Sequence, residues 1–106
     1  MAFYIKQNDT SPSMLANLQD ADGNAINLTG ASVQVHIKDV EGTLKVDRAA
    51  IIPDPLIGRV RVNWQTGETD TVGTYYVEFE ATYNDGTIET FPNNGNLVMV
   101  VVGELN

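Results

Sequence analysis

The chain predicts an all-β domain, an antiparallel sandwich of seven or eight short strands. Three observations carry that expectation. Apolar and polar residues alternate with period two in run after run. The clearest is the stretch in which Tyr75, Val77, Phe79, Ala81 and Tyr83 share one face while Tyr76, Glu78, Glu80 and Thr82 share the other. The runs are short and are punctuated by clusters of Gly, Pro, Asn and Asp. No window of about a dozen residues places apolar side chains at the i, i+3, i+4, i+7 spacing of an amphipathic helix.

The elements follow in order. Phe3 to Gln7 reads as a first strand and Asn8 to Pro12 as a turn. Ser13 to Leu18 is extended, with Met14, Ala16 and Leu18 on one face. Asp20 to Asn24 is a second turn in which Gly23 supplies a positive φ. Ala25 to Leu28 reads as a brief extended piece closed by Thr29 and Gly30. Ser32 to Lys38 is a strand with Val33, Val35 and Ile37 inward and Gln34, His36 and Lys38 outward. After the turn Asp39 to Gly42, Thr43 to Ala50 continues extended with Leu44 and Val46 inward. Ile51 to Leu56 reads as an irregular link, because its two prolines bar a central strand position.

Gly58 to Trp64 alternates again, with Val60, Val62 and Trp64 inward and Arg59 and Arg61 outward. The long alternating strand begins at Thr74 and ends in the Asn84-Asp85-Gly86 turn of a hairpin. Thr87 to Phe91 returns, Pro92 to Gly95 breaks it, and Asn96 to Val102 is the last strand. That strand is apolar at nearly every position, which predicts cover on both faces. The expected core is Val33, Val35, Ile37, Val60, Val62, Trp64, Tyr75, Val77, Phe79, Val98 and Val100.

The length of 106 residues suits one domain, residues 1–106, and an apolar share of 42% suffices for one modest core. There is no cysteine, which excludes a disulfide framework and thiolate metal sites. A net charge of −8 opposes binding to nucleic acid or to an anionic membrane, both of which select for basic surfaces. The N-terminal residues lack the basic and apolar regions of a secretory signal, so synthesis and retention in a cytoplasm, at least at first, are expected. The apolar run Leu97 to Val102 is too short to span a bilayer.

Catalytic, cofactor and metal sites are not expected. His36 is the lone histidine and faces outward, without a recognisable nucleophile near it in sequence. Asp20, Asp22 and Asn24 have the spacing of a calcium loop, but Ala25 and Ala31 stand where its glycine and closing glutamate belong. Glu78 and Glu80 share a strand face, and Arg59 and Arg61 share a comparable one. If those strands are neighbours, the four side chains form cross-strand ion pairs. Tyr76 faces away from Tyr75, and with Tyr4 it is the aromatic expected at a partner contact. Tyr76, Tyr4, Glu78 and Glu80 are thus the candidate contact residues.

Several segments together resemble one family. They are Phe3 with Gln7-Asn8-Asp9-Thr10-Ser11-Pro12, Leu18-Gln19-Asp20-Ala21-Asp22-Gly23-Asn24, and Asn27-Leu28-Thr29-Gly30-Ala31. Gly58-Arg59-Val60 leading to Trp64, Gly73-Thr74-Tyr75, Tyr83-Asn84-Asp85-Gly86 and Phe91-Pro92-Asn93 complete the set. In order and spacing the chain resembles the small immunoglobulin-like virion domain of tailed phages, best known at the N-terminus of upper baseplate proteins. The resemblance implies an immunoglobulin-like sandwich and a non-enzymatic structural role in the virion. It also implies binding to other virion proteins in the tail or baseplate region and self-association under virion symmetry. Placement as a capsid decoration protein, and a module that binds host glycans, are the alternatives. The Gly73-x-Tyr75 segment is similar to a tyrosine corner, in which the hydroxyl bonds a nearby backbone group.

Overall fold

The computed structural model describes residues 2–92 and 96–104. Nine strands are present among them: β1 (Ala2–Lys6), β2 (Met14–Asn17), β3 (Ser32–Asp39), β4 (Leu44–Ala49), β5 (Ile51–Asp54), β6 (Arg59–Val62), β7 (Gly73–Thr82), β8 (Ile88–Phe91) and β9 (Leu97–Val102). A 3-10 turn at Pro55–Ile57 joins β5 to β6. The strands form two sheets. One has six strands, in the order β1-β9-β7-β3-β4, with β8 pairing β7 beyond the end of β9. The other has three, in the order β2-β6-β5. Together they make an immunoglobulin-like β-sandwich.

The core lies between the sheets because each strand turns its apolar set inward. Val33, Val35 and Ile37 of β3 meet Ala81, Phe79 and Val77 of β7 in register. All six are buried. From the other sheet come Met14, paired with Val62, and Val60, all buried. Trp64 closes one end. Its indole stacks at a tilt on Phe3, with ring centroids 5.8 Å apart, and its Nε1 donates to the Pro12 carbonyl at 3.0 Å. A buried indole thus keeps its one donor satisfied.

At the head of β7 the Tyr75 hydroxyl donates to the Thr71 carbonyl at 2.7 Å, with the ring buried. This is a tyrosine corner, and it tethers the connection from β6 to the strand it leads into.

The turns follow from aspartate. Asp20 Oδ1 accepts from the N–H groups of Asp22 and Asn24, both at 2.9 Å. Asp39 Oδ1 does the same for Glu41 and Thr43. Each turn then closes through a glycine, Gly23 at φ +84° and Gly42 at φ +89°, where a side chain would be strained.

Several expectations are corrected. The pairing is not wholly antiparallel: β1 runs parallel to β9. Ile51 to Leu56 is no irregular link, because β5 pairs β6 through a register irregularity and Pro53 is tolerated at the sheet edge, where its missing N–H breaks no ladder. Ala25 to Leu28 forms only an isolated bridge, Gln19 with Ala25. That segment instead threads past Gly58, where Ile26 donates to the Leu18 carbonyl and Leu28 to the Pro55 carbonyl. A Cβ on Gly58 would lie 2.7 Å from the Leu18 and Ile26 carbonyl oxygens.

Leu44 is exposed, because the β3–β4 register shifts between Ile37 and Lys38 and turns it outward. Val98 and Val100 are not in the core. Leu97, Met99 and Val101 are, since β1 packs Ile5 inward beside Val101 and sets the phase of β9. The outer face of β9 is therefore only half covered. The break expected at Pro92 to Gly95 lies in part, at Asn93, Asn94 and Gly95, outside the described residues.

Candidate interaction surfaces

The outer face of the six-stranded sheet carries the sequence-derived contact residues. Tyr4 on β1 is 64% exposed and Tyr76 on β7 is 42% exposed. Tyr4 lies beside Val100, which lies beside Thr74. Ala2, Val98, Tyr76 and Lys38 form the adjacent row. The two tyrosines therefore stand on one face, two strand spacings (about 9.6 Å) apart across the sheet and two residues (about 6.7 Å) apart along it, with Val98 and Val100 between them. The result is a continuous apolar and aromatic patch on β1, β9 and β7.

Further along β7 the same face turns polar. Glu78 is exposed and lies opposite His36, and Glu80 is half-buried opposite Gln34 and Thr90. His36 Nε2 is held by Asp47 Oδ1 at 3.1 Å, and the Gln34 amide donates to the same oxygen. The histidine thus sits in a carboxylate row along the sheet surface. No group of three or more His, Cys, Asp or Glu converges to hold a metal ion among the described residues.

The expected cross-strand pairing of Arg59 and Arg61 with Glu78 and Glu80 does not occur. β6 and β7 belong to different sheets, and the four side chains face away from each other on opposite outsides of the sandwich. The outer face of the three-stranded sheet is a second surface. Leu15, Arg61 and Ile51 form one row across it, and Asn17, Arg59 and Asp54 the next. Leu15 and Ile51 are each 49% exposed. Arg59 Nε donates to Asn17 Oδ1 at 3.1 Å, while Arg61 Nε is enclosed without an acceptor.

The basic groups of β4, in the six-stranded sheet, are spent on structure. Arg48 makes a two-pronged contact with Glu68, Nε to Oε2 at 2.8 Å and Nη2 to Oε1 at 2.7 Å, and also donates to the Asn63 carbonyl. Burial pushes the Glu68 carboxyl up, but hydrogen bonds from Arg48 and from the Gln65 N–H outweigh it and hold the group below its usual range. Lys45 pairs with Asp70, whose carboxyl is lowered by that lysine first and by the Thr71 hydroxyl second.

A cleft of about 450 Å³ opens between β2 and the start of β9, lined by Leu18, Phe79, Phe91 and Leu97 with the turn after β2. The acid at its rim, Asp20, has its carboxylate engaged by the turn, and those backbone donors, Asn24 first, lower its pKa. The turn chemistry expected at Asp20 to Asn24 therefore accounts for these acids.

The sequence placed Tyr4, Tyr76 and Glu78 on an exposed face, where they lie. It missed Val98 and Val100, because an uninterrupted apolar run carries no phase. It also left Leu15, Ile51 and the exposed Leu56 out of any surface, although the outward position of Arg59 and Arg61 already implied an outer face for their neighbours.

No family model matches the chain, and no curated protein is similar to it in sequence. Among solved structures, the chain is similar in fold to CopC from Methylosinus trichosporium OB3b, with a TM-score of 0.56 at 18% identity over 98% of this chain and 86% of that one. At that identity the likeness is one of architecture, and the chain is an immunoglobulin-like β-sandwich.

Proposed function

We propose that this chain is a non-enzymatic structural protein of a tailed-phage virion that docks on other virion proteins in the tail or baseplate region. The observation that carries the proposal is the Tyr4–Val100–Val98–Tyr76 patch on the outer face of the large sheet. Aromatic and aliphatic side chains left in solvent on a rigid sheet are the composition of a protein interface. The patch borders β1, an edge strand whose far side has no partner strand among the described residues. An extended segment of a partner can add there by main-chain hydrogen bonds, with the tyrosines setting specificity. The family resemblance supplies the setting. The acidic surface keeps copies soluble before assembly.

The test is mass spectrometry of purified particles separated into capsids and tails, with copy number in each fraction. A few to a few dozen copies with tails is the expected result. Hundreds with capsids would move the protein to decoration of the head. Absence from both would overturn the structural role. A glycan-binding reading is favoured by one observation, the presence of two exposed tyrosines on one face. It requires affinity for host polysaccharide that Tyr76→Ala abolishes.

A further inference from the structure

Arg59 and Arg61 cannot reach Glu78 and Glu80 within one chain, because the pairs stand on opposite outer faces of the sandwich. Between chains they can. We propose that copies of this protein associate front to back: the outer face of the three-stranded sheet of one copy seats on the outer face of the six-stranded sheet of the next, with Arg59 and Arg61 binding Glu78 and Glu80.

The two rows match in pitch. Each pair is spaced i, i+2 on one strand, so each presents charges about 6.7 Å apart along the strand. The rows are also free. The ion pairs among the described residues are His36 with Asp47, Lys45 with Asp70 and Arg48 with Glu68, and none uses these four side chains. Among the described residues Arg59 has only the neutral Asn17 oxygen, and Arg61 Nε has no acceptor. With no carboxylate of their own, the two half-exposed arginines are open to charge-assisted hydrogen bonds from carboxylates brought by a partner.

The apolar surroundings match as well. Leu15 and Ile51 flank Arg61 in register, and Tyr76 adjoins Glu78 with Val98 beside it. Each face also holds groups of opposite sign, Asp54 beside Arg59 on one and Lys38 beside Tyr76 with Lys6 beside Val102 on the other, which restricts the register in which the faces meet. The contact joins two different surfaces, so each added copy leaves one of each free and the assembly propagates into a ring or a stack.

This deepens the structural reading by naming one partner, a second copy. It needs only the purified chain, so its failure is distinguishable from that of the virion placement, which particle mass spectrometry decides.

The experiment is sedimentation velocity from roughly 10 μM to roughly 1 mM in about 0.15 M salt, which screens the long-range repulsion between acidic copies. Four samples are compared: the wild type, Arg59→Glu/Arg61→Glu, Glu78→Arg/Glu80→Arg, and an equimolar mixture of the two variants. The wild type is expected to gain mass with concentration. Each variant alone is expected to associate at least tenfold more weakly. Mixing them restores association, since each then meets a face of opposite charge, and a misfolded variant cannot be rescued in this way. The neutral changes Arg61→Gln and Glu78→Gln each weaken wild-type association at least threefold. A wild type that stays monomeric throughout overturns the proposal, as do variants that associate like the wild type or a mixture that does not recover.

Discussion

At the scale of single residues, the structure satisfies polar groups inside a core of apolar side chains. Tyr75 shows how. Its ring is buried beside Val77, while its hydroxyl reaches back four residues to the Thr71 carbonyl. Tyr75→Phe keeps the ring and removes the donor. It should cost about 0.5–1.5 kcal/mol, the net worth of one hydrogen bond, and leave strand content unchanged. Urea unfolding with an unchanged m-value checks this. A loss within error of zero would mean that the corner is incidental. Gly73 and Tyr75 were legible in the sequence, but the acceptor was not, because Thr71 is chosen by the path of a loop and not by periodicity.

At the scale of elements, legibility tracks solvent. β3, β6 and β7 each have one wet face, so polar residues mark the outside and the inward sets were read correctly. β9 reads Leu-Val-Met-Val-Val-Val and carries no such mark. Its phase is set by β1, whose Ile5 is buried beside Val101 while Tyr4 stands outside beside Val100. β4 lost Leu44 to a register shift, and β5 was masked by Pro53, both products of edge geometry that a linear pattern does not encode. The half-apolar outer face follows from the same point: Tyr4 and Tyr76 were legible as outward, whereas the valines joining them were not.

The two sides of β9 should respond unequally to truncation. Met99→Ala, on the buried side, should cost about 2–5 kcal/mol. Val100→Ala, on the outer side, should cost well under half as much, because its side chain is already partly in water. Equal losses by chemical denaturation would mean that the outer face is covered in the free protein, and the patch would then be core rather than interface.

At the scale of the whole molecule, charge governs both assembly and pH response. The net charge is −8, and fold-specific donors lower the pKa values of four of the carboxyls, Glu68, Asp70, Asp20 and Asp85. A carboxyl lowered in the folded state contributes stability above its unfolded value, near 4, and that contribution is lost as pH falls through the folded value. Stability should therefore be flat from neutrality to about pH 5 and decline below it. Glu68 is the strongest single case, since its side chain is 13% exposed and it anchors Arg48 to the loop before Asp70. Glu68→Gln should cost about 1–2 kcal/mol at pH 7 and flatten the acid limb, because the neutral amide can no longer lose a charge. Thermal melts from pH 7 to pH 3 on both proteins measure the difference. If the two melting curves stay parallel across that range, the Arg48–Glu68 pair does not set the acid response, and the exposed carboxylates of the turns do. Near the isoelectric point, about 4.2, the same protonation cancels the repulsion between copies. Non-specific association should therefore strengthen toward that pH, so front-to-back assembly is to be measured at neutral pH, where the copies carry their full charge.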